Sequence, residues 1–373
     1  MRRALYARRL LTPAESIENA AILLQDGVIA AVGTRAEVIV PASTPSDDYG
    51  DAVLAPGLID IHVHGGGGVD TMSADRGALD GLRQHLARHG VTAFLATTVS
   101  AAWPDLLAAV TRLGQAGADI HLEGPFISPL RRGVHPEEVL LLPTIERLHQ
   151  LWERSQAHIR LITLAPELDG ALDFIAAAVK LGIRIALGHS NATMAQAEAA
   201  IEAGACHVTH TFNAMRPLHQ REPGLLGLAL ADPGLSAEII ADGVHVDPVL
   251  VRLFLRAKAP GRAILVSDGI SAAGMGDGQF HLGNIAVTVS GSRCCCGDTL
   301  AGSVLTLDRA LCNVRLWSAW GWADTVSLAC QNPATLMGWE RKGRLAPGGD
   351  ADIAVFSPCG EIVAVYVAGK LVH

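Results

Sequence analysis

Six histidine and acidic side chains of this chain come at or just after the ends of short apolar runs: His62, His64, Glu123, His189, His210 and Asp268. Imidazole nitrogen and carboxylate oxygen are the usual protein ligands of a divalent metal such as zinc. Two histidines and one glutamate leave a coordination position for water, and Glu123, His189 and His210 match that set. A nearby aspartate can carry a proton, as expected of Asp268. The residue types therefore predict a metal-dependent hydrolase.

Each of these residues also has a simpler interpretation when it is taken singly. His62 and His64 lie two apart and so share one face of a strand, but a lone pair at this spacing is weak evidence for ligands. His189 and His210 could be hydrogen-bonded core histidines. Glu123 could cap the following backbone, and Asp268 could cap a turn. The coincidence of all the residues favours the metal site.

The lysines limit the kinds of metal site that this chain can build. None of the four, which are Lys180, Lys258, Lys342 and Lys370, ends a predicted strand. A carbamylated lysine that bridges two metal ions is therefore not expected. Glu123 is the natural carboxylate for two ions to share.

Eight short apolar runs alternate with helical patterns, which predicts a (β/α)8 TIM-like barrel. Catalytic residues of such barrels lie at the C-terminal ends of the strands, where the six residues fall. The predicted strands are Leu58–His64, Val91–Thr97, Ala118–Glu123, Ile159–Leu164, Ile183–Leu187, His207–Thr209, Ala237–Ala241 and Ala263–Val266. Helical patterns include Arg76–His89, Ala171–Leu181, Met194–Ala203 and Val249–Ala257.

Both ends of the chain have strand patterns instead. Ala21–Gln25 and Val28–Val32 flank Asp26-Gly27, a signal for a type I′ hairpin turn. Strand patterns return at Ala351–Phe356 and Ile362–Val367. We therefore expect a small β-sandwich domain built from residues 1–52 and 345–373 around a barrel of residues 53–344.

Composition disfavours several classes of partner. The net charge is −8, and no basic cluster that would bind nucleic acid is present. No charge-free apolar run is long enough to span a membrane, and the chain start lacks an apolar signal core. Seven cysteines without a CxxC pair indicate reduced thiols and a cytoplasmic location. Cys294, Cys295 and Cys296 could bind a soft metal, but a cysteine-rich strand or loop is the favoured interpretation.

Glycine patterns give little support to nucleotide binding. No GxGxxG or GxxxxGK[ST] loop opens a helix. The run Gly65–Gly68 could cradle a phosphate, or it could be a flexible loop that lets the backbone pass close to the metal site.

The motifs around the six residues resemble those of a known family, over nearly the whole chain. PGLIDIHVHG at 56–65 resembles the first-strand signature of the amidohydrolase superfamily. The later motifs resemble the N-acetylglucosamine-6-phosphate deacetylases within it, and THTFNAM at 209–215 is the most specific. The others are HLEGPF at 121–126, GVH at 133–135, LGHS at 187–190, ADGVH at 241–245, VSDG at 266–269, LAGS at 300–303, NPA at 332–334 and GGDAD at 348–352.

The resemblance implies a role for each site residue. It implies that Glu123, His189 and His210 hold the principal metal ion, that Asp268 is the catalytic acid and base, and that His135 helps to stabilise the oxyanion. Substrate contacts are implied for Val134, His135, Asn213, Ala214, Arg221, His245, Leu300, Ala301 and Gly302. From sequence alone Arg221 is a solvated loop charge, and its role as a phosphate clamp across a homodimer interface comes from the resemblance.

The number of metal ions stays open. Some family members replace the first-strand histidine pair and hold a single ion, whereas this chain keeps His62 and His64. We expect one or two divalent ions, with zinc as the leading candidate and iron, cobalt or manganese as alternatives.

The resemblance also implies a reaction, namely hydrolysis of the acetamide of N-acetyl-D-glucosamine 6-phosphate to D-glucosamine 6-phosphate and acetate. The partner would be a small amino-sugar phosphate, with no nucleic acid and no membrane. One alternative is deacetylation of a related substrate, such as N-acetylgalactosamine 6-phosphate or an N-acyl amino acid. Another is a non-catalytic binding barrel, which the complete set of ligand residues disfavours.

Overall fold

A computed structural model describes residues 2–12, 15–258 and 261–373 of the 373-residue chain. The N-terminal strands are β1 (Arg2–Leu11), β2 (Ser16–Gln25), β3 (Val28–Thr34), β4 (Ser46–Asp48) and β5 (Val53–Pro56). The central strands are β6 (Leu58–Val63), β7 (Gly65–Gly66), β8 (Val69–Asp70), β9 (Val91–Thr98), β10 (Ile120–Glu123), β11 (Ile159–Leu164), β12 (Arg184–Leu187), β13 (His207–Val208), β14 (Ser236–Ile239) and β15 (Ala263–Leu265). The later strands are β16 (Gly278–Leu282), β17 (Ile285–Ser290), β18 (Arg293–Cys296), β19 (Thr299–Leu300), β20 (Ile353–Phe356), β21 (Ile362–Val367) and β22 (Lys370–Leu371).

The helices alternate with the central strands and continue after them. They are α1 (Arg76–Arg88), α2 (Trp103–Gln115), α3 (Ile145–Arg154), α4 (Ala171–Lys180), α5 (Met194–Glu202), α6 (Gly224–Ala231), α7 (Pro248–Lys258), α8 (Leu307–Ser318), α9 (Trp322–Ser327) and α10 (Gln331–Met337). Single turns of 3₁₀ helix occupy Pro129–Arg131 and Glu137–Val139.

The central strands form an eight-stranded parallel sheet that closes nearly into a barrel. Its order is β15-β14-β13-β12-β11-β10-β9-β6. Every residue of β6 and β10 is buried, as expected for strands covered on both faces. The two ends of the sheet meet beyond β15, where the Asp268 amide donates to the His62 carbonyl at 2.9 Å and the His64 amide donates to the Gly269 carbonyl at 2.8 Å. The predicted (β/α)8 fold class is confirmed.

Strands from both termini form a second sheet. Its order is β22-β21-β20-β5-β1-β2-β3, with β4 paired to β1. Its core contains Leu5, Leu10, Leu54, Ile353 and Tyr366, all fully buried. The predicted turn joins β2 to β3, and both Asp26 (φ 52°) and Gly27 (φ 83°) have the left-handed backbone of a type I′ turn. The small β domain built from both termini is thus present.

The glycine run after β6 is a tight hairpin of β7 and β8. A Cβ on Gly65 would lie 2.1 Å from the carbonyl oxygen of Val69. Only glycine fits this close backbone approach.

The sequence analysis missed a four-stranded antiparallel sheet, β16-β17-β18-β19, which we call the insert sheet. It follows the last barrel strand and spans Gly278–Leu300. The three adjacent cysteines lie on its strand β18, with Cys294 buried and Cys296 exposed. No disulfide joins any of the seven cysteines.

The chain folds as two compact units. One comprises Met1–Asp60, Arg83–Ala93 and Thr306–His373, and the other comprises Ile61–Leu82 and Phe94–Leu305. The boundaries that the sequence suggests at residues 52 and 344 stay a prediction. Across the described part of the chain, no helix has both the length and the apolar character needed to cross a membrane.

Candidate active site

The carboxyl ends of the barrel strands bring the six predicted residues together. His62 lies in β6 and His64 directly follows it, whereas Glu123 is the last residue of β10. His189 and His210 each come two residues after a strand, and Asp268 comes three residues after β15. All six side chains are buried.

Glu123 lies at the centre of the cluster. Its Oε1 is 3.1 Å from His210 Nε2 and 3.3 Å from His189 Nε2. The two histidine Nε2 atoms are 3.0 Å apart. On the other side, Glu123 Oε2 is 3.2 Å from His64 Nε2. This single carboxylate therefore faces both pairs of histidines.

Asp268 faces the first-strand histidine pair. Its Oδ1 is 3.4 Å from His62 Nε2 and 3.2 Å from His64 Nε2. Its carbonyl accepts a 2.8 Å hydrogen bond from the amide of Ser303. A Cβ on Gly302 would lie 3.0 Å from that carbonyl oxygen, so glycine is needed for the backbone to pass this close to Asp268.

The backbone is left-handed at several of these positions. His189 has a φ of 47°, His210 of 24° and Asp268 of 50°. Non-glycine residues adopt this conformation at an energetic cost, and such residues concentrate at functional sites. These turns place the side chains just past the strand ends, which regular strand geometry would not do.

The two carboxylates are held in their charged form. Burial opposes this, but the charge of His62 and hydrogen bonds from neighbouring histidines together outweigh it and lower the pKa of Glu123 well below its usual value. For Asp268, the charge of His62 and a hydrogen bond from His64 together outweigh burial and lower the pKa. An ionised Asp268 can accept a proton.

The pKa values of two histidines in the cluster are shifted in opposite directions. Burial opposes protonation of His64, but hydrogen bonds to Asp268 and Glu123 outweigh it and raise its pKa to about 9. Burial lowers the pKa of His189 to about 4. The Nδ1 of His189 lies 3.0 Å from the carbonyl of Arg131, to which it donates. The neutral ring therefore directs a lone pair from Nε2 toward Glu123.

The donor set fits a divalent metal ion. The ligand atoms of Glu123, His189 and His210 lie within 4.8 Å of one another, and those of a second group lie equally close: His62, His64 and Asp268. Nitrogen and carboxylate ligands in threes match zinc and the neighbouring transition metals. A lone pair on His189 directed at a carboxylate is the arrangement that a cation between them would stabilise. The residues therefore fit one or two ions.

A layer of polar side chains lies beneath the cluster, and the sequence analysis did not single it out. Glu238, in β14, is fully buried and hydrogen-bonds to His62 and His207. His121, in β10, hydrogen-bonds to the hydroxyl of Thr163 at 2.8 Å. Burial, with the charge of His62 adding to it, lowers the pKa of His121 to about 3, so its ring is neutral at pH 7. A signal was available, because an acidic residue inside an apolar strand is costly to bury without a partner.

A cavity of about 390 Å³ opens above the cluster, within the size range of small-molecule sites. Five of the six cluster residues line it: His64, Glu123, His189, His210 and Asp268. Of the residues predicted to contact substrate, seven line it: Val134, His135, Asn213, Ala214, His245, Leu300 and Gly302. Ala301 is buried beside the cavity and Arg221 lies away from it, on an exposed stretch.

Two histidines at the cavity wall are held by defined partners. His135 Nδ1 lies 3.2 Å from the amide of Ser100 and 2.7 Å from its hydroxyl. The amide can only donate, so Nδ1 accepts and the ring proton sits on Nε2. That Nε2 is 3.7 Å from Glu123 Oε2. His135 can therefore donate a hydrogen bond into the cavity from Nε2. The second histidine is His245, whose Nδ1 is 2.7 Å from Asp242 Oδ2.

The insert sheet contributes cavity residues that the sequence analysis missed. They are Leu282, Arg293, Asp298 and Thr299. Among the described residues that line the cavity, Arg293 is the one arginine or lysine. No motif in the sequence marks Arg293, because its place at the cavity depends on how the insert sheet folds back.

Comparison with known proteins places this site in context. A model of the amidohydrolase family matches residues 53–372. The chain is 36% identical over 376 residues to an N-acetylglucosamine-6-phosphate deacetylase of Bacillus subtilis, covering 97% of this chain and 95% of the relative. It is 37% identical over 389 residues to an N-acetylgalactosamine-6-phosphate deacetylase of Escherichia coli O157:H7, covering 100% of this chain and 99% of the relative.

A solved structure is similar over the full length. It is a variant of N-acetyl-D-glucosamine-6-phosphate deacetylase from Mycobacterium smegmatis in complex with N-acetyl-D-glucosamine 6-phosphate. The TM-score is 0.93 at 35% sequence identity, and the match covers 100% of this chain and 99% of that one.

Proposed function

Because the chain belongs to the amidohydrolase family, we propose that it hydrolyses the acetamide of N-acetyl-D-glucosamine 6-phosphate. The products are D-glucosamine 6-phosphate and acetate. The observation that carries this function is the convergence of Glu123, His189, His210 and Asp268 at one cavity. The full-length similarity to sugar-phosphate deacetylases supports the choice of substrate class.

The metal ion would be held by Glu123, His189 and His210. When bound, such an ion supplies Lewis-acid chemistry, which acidifies water and polarises a carbonyl. His62, His64 and Asp268 form a second ligand group around the shared Glu123. We propose one or two ions per chain, with zinc as the leading candidate.

Asp268 carries the proton. As an anion it takes a proton from the attacking water while the water oxygen bonds to the acetyl carbon. It then gives that proton to the sugar nitrogen as the carbon–nitrogen bond breaks and acetate forms. A positioned acid and base of this kind accelerates a reaction by about 10²–10⁴-fold.

His135 stabilises the charge that develops on the acetyl oxygen. Its Nε2 carries a proton because its Nδ1 accepts from Ser100. A fixed donor of this type matters most where charge develops in the transition state.

The substrate phosphate needs cationic or amide partners. Asn213, Ala214 and His245 line the cavity, and Arg293 adds a permanent positive charge there. Arg221 is exposed on the segment that follows Asn213 and Ala214. We propose that Arg221 reaches the cavity of a second copy, so that the cytoplasmic enzyme works as a homodimer.

The test is acetate release by the purified protein from N-acetyl-D-glucosamine 6-phosphate. We expect turnover with Zn²⁺, loss after treatment with a chelator, and recovery when Zn²⁺ is restored. The unphosphorylated sugar should react poorly, since binding energy at the phosphate helps to orient the amide. A metal-loaded protein that releases no acetate would be a non-catalytic barrel, and the proposal would fail.

One relative supports a second candidate substrate. The deacetylase of Escherichia coli O157:H7 with which this chain shares 37% identity acts on N-acetylgalactosamine 6-phosphate. A comparison of kcat/KM for the two epimers distinguishes them. We expect the glucosamine epimer to have the higher value, and a higher value for the galactosamine epimer would change the assignment.

A further inference from the structure

Glu238 touches both halves of the metal-ligand cluster without facing the cavity. Its Oε2 lies 2.9 Å from His62 Nδ1 and 3.1 Å from the backbone nitrogen of His210. Its Oε1 lies 2.9 Å from His207 Nε2. The side chain is fully buried. One carboxylate oxygen thus contacts a ligand ring from one group and the backbone of a ligand from the other.

We propose that Glu238 is a positioning residue that orients His62 and His210 for metal binding. This inference rests on the metal-dependent function proposed above. Glu238 does not contact the cavity, so it acts through the two histidines and not on the substrate.

The contact with His62 fixes which nitrogen faces the cluster. A carboxylate accepts hydrogen bonds, so the His62 Nδ1 donates to Glu238. The Nε2 is then the atom left for a metal, and it points at Glu123 and Asp268, 3.4 Å from an oxygen of each. A carboxylate behind a ligand histidine fixes the ring and strengthens it as a ligand.

The contact with His210 holds a strained turn. His210 has a φ of 24°, outside the conformations that most residues adopt. The hydrogen bond from its amide to Glu238 helps to keep this backbone in place. The ring of His210 stays directed at Glu123, with its Nε2 3.1 Å from Oε1.

The decisive variant is Glu238→Gln. The glutamine oxygen can still accept from His62 and from the His210 amide, and its NH₂ can donate to the neutral form of His207. The substitution keeps the shape of the side chain but removes its negative charge. Metal-free protein is titrated with Zn²⁺ in competition with a chromophoric chelator, which gives both the stoichiometry and the affinity.

We expect E238Q to bind Zn²⁺ about 10–100-fold more weakly than the wild type, the range typical for partners behind metal ligands. If the wild type binds two ions, E238Q should weaken the binding of both, because Glu238 contacts one residue of each ligand group. The matched control is His207→Gln, which retains the contacts of Glu238 with His62 and His210. Its Zn²⁺ affinity should equal that of the wild type.

A second variant covers the case in which E238Q does not fold. Glu238→Asp keeps the charge but draws the carboxylate back from His62, and it should also weaken Zn²⁺ binding. Unchanged affinity in E238Q, or in E238D where E238Q is unfolded, overturns the role of Glu238. Equal losses in E238Q and H207Q overturn it too, because they indicate general damage to the core. A wild type that binds no Zn²⁺ overturns the proposed function itself.

Discussion

In the proposed mechanism Glu123 is a metal ligand and Asp268 is the proton carrier. Both carboxylates in the cluster are charged, but Glu123 lies among five histidines whereas the carboxylate of Asp268 pairs with His62 and His64. Both carboxylates line the cavity, but Asp268 has fewer histidine partners than Glu123. It is therefore the carboxylate placed to exchange a proton with a reacting molecule.

Replacement of Asp268 by asparagine tests that assignment. Asparagine has nearly the same shape but cannot take up a proton, so we expect kcat to fall by about 10²–10⁴-fold. Glu123, His189 and His210 are untouched, and the protein should still bind an ion there. Steady-state kinetics together with metal analysis measure the two effects. Turnover near the wild-type level would remove Asp268 from the mechanism.

A second prediction at the scale of one residue concerns His135. His135→Ala removes the donor proposed to face the acetyl oxygen, and loss of one such donor typically lowers kcat by about 10²–10³-fold. Ser100→Ala is the matched control, since the Ser100 backbone amide still bonds to Nδ1. S100A should change kcat little. Equal losses in both variants would indicate that His135 acts only through its position.

Sequence alone locates residues that end strands more readily than the residues that support them. His189 and His210 follow apolar runs, and a polar residue at the end of a buried strand is conspicuous. Glu238 lies inside an apolar run with no neighbouring motif, and its partners His62 and His207 are distant in sequence. Its importance depends on distances between strands, which no local pattern contains.

At the scale of elements, the insert sheet provides the cavity with a positive charge. Arg293 begins strand β18, and the strand pairing places it opposite Ser290. The substrate carries a phosphate, and hydrogen bonds to charged groups contribute about 1.5–3 kcal/mol. Arg293 is thus placed to favour phosphorylated over unphosphorylated sugars.

Arg293→Gln should raise KM for N-acetyl-D-glucosamine 6-phosphate by roughly 10–100-fold with little change in kcat. Arg293→Lys retains the charge and should show a smaller increase. Activity on the unphosphorylated sugar is the internal control and should not change. An equal loss on both sugars would mean that Arg293 supports the insert sheet and not the phosphate.

Helix α1 contains a histidine that makes stability depend on pH. Burial, together with the charges of His89 and Arg88, lowers the pKa of His85 from 6.5 to about 4. The unfolded chain therefore takes up a proton at His85 before the folded chain does. The contribution to stability is present above pH 6.5 and is lost as the pH falls toward 4.

His85→Gln should therefore reduce the drop in Tm between pH 7 and pH 5. The matched control is His149→Gln, at an exposed position on helix α3, and it should leave that drop unchanged. Thermal unfolding followed by circular dichroism at both pH values measures the difference. An identical drop in wild type and H85Q would show that His85 does not contribute.

Strands could be predicted from the sequence where a single hydrophobic pattern was clear. Ile159–Leu164 and Ile362–Val367 have the predicted bounds, because runs of mostly apolar residues mark these strands. Strand β17 (Ile285–Ser290) alternates buried and exposed residues, a period-two pattern that predicts a half-buried strand. The sequence therefore contains a signal for this strand, although the eight-strand barrel pattern does not require it.

At the scale of the whole molecule, barrel closure makes one site from distant segments. His62 and Asp268 are far apart in sequence, but the Asp268 amide donates to the His62 carbonyl at 2.9 Å. Apolar patterning predicts that eight strands form, and closure then follows from their number. The side-chain distances within the cluster do not follow, because they depend on the left-handed turns after the strands.

Assembly as the proposed homodimer would bring Arg221 of one chain to the site of the other. Residues 217–221 are all exposed, and Leu218 within them has 55% of its surface accessible. Arg221 lies in this stretch and does not line the cavity of its own chain. If a second copy covers this surface, Arg221 can reach the phosphate in the partner's cavity. Sedimentation should then give the mass of a dimer.

A hybrid dimer tests whether Arg221 acts across the interface. Arg221→Gln and Asp268→Asn chains, each with a different affinity tag, are co-expressed, and the hybrid is purified on both tags. If Arg221 acts in trans, the Arg221→Gln chain keeps its Asp268 and receives an arginine from its partner. One of the two sites is then complete, and the hybrid should regain a large part of the activity that each variant lacks alone. If Arg221 served its own chain, neither site would be complete, and a hybrid as inactive as the Asp268→Asn homodimer would exclude the trans arrangement.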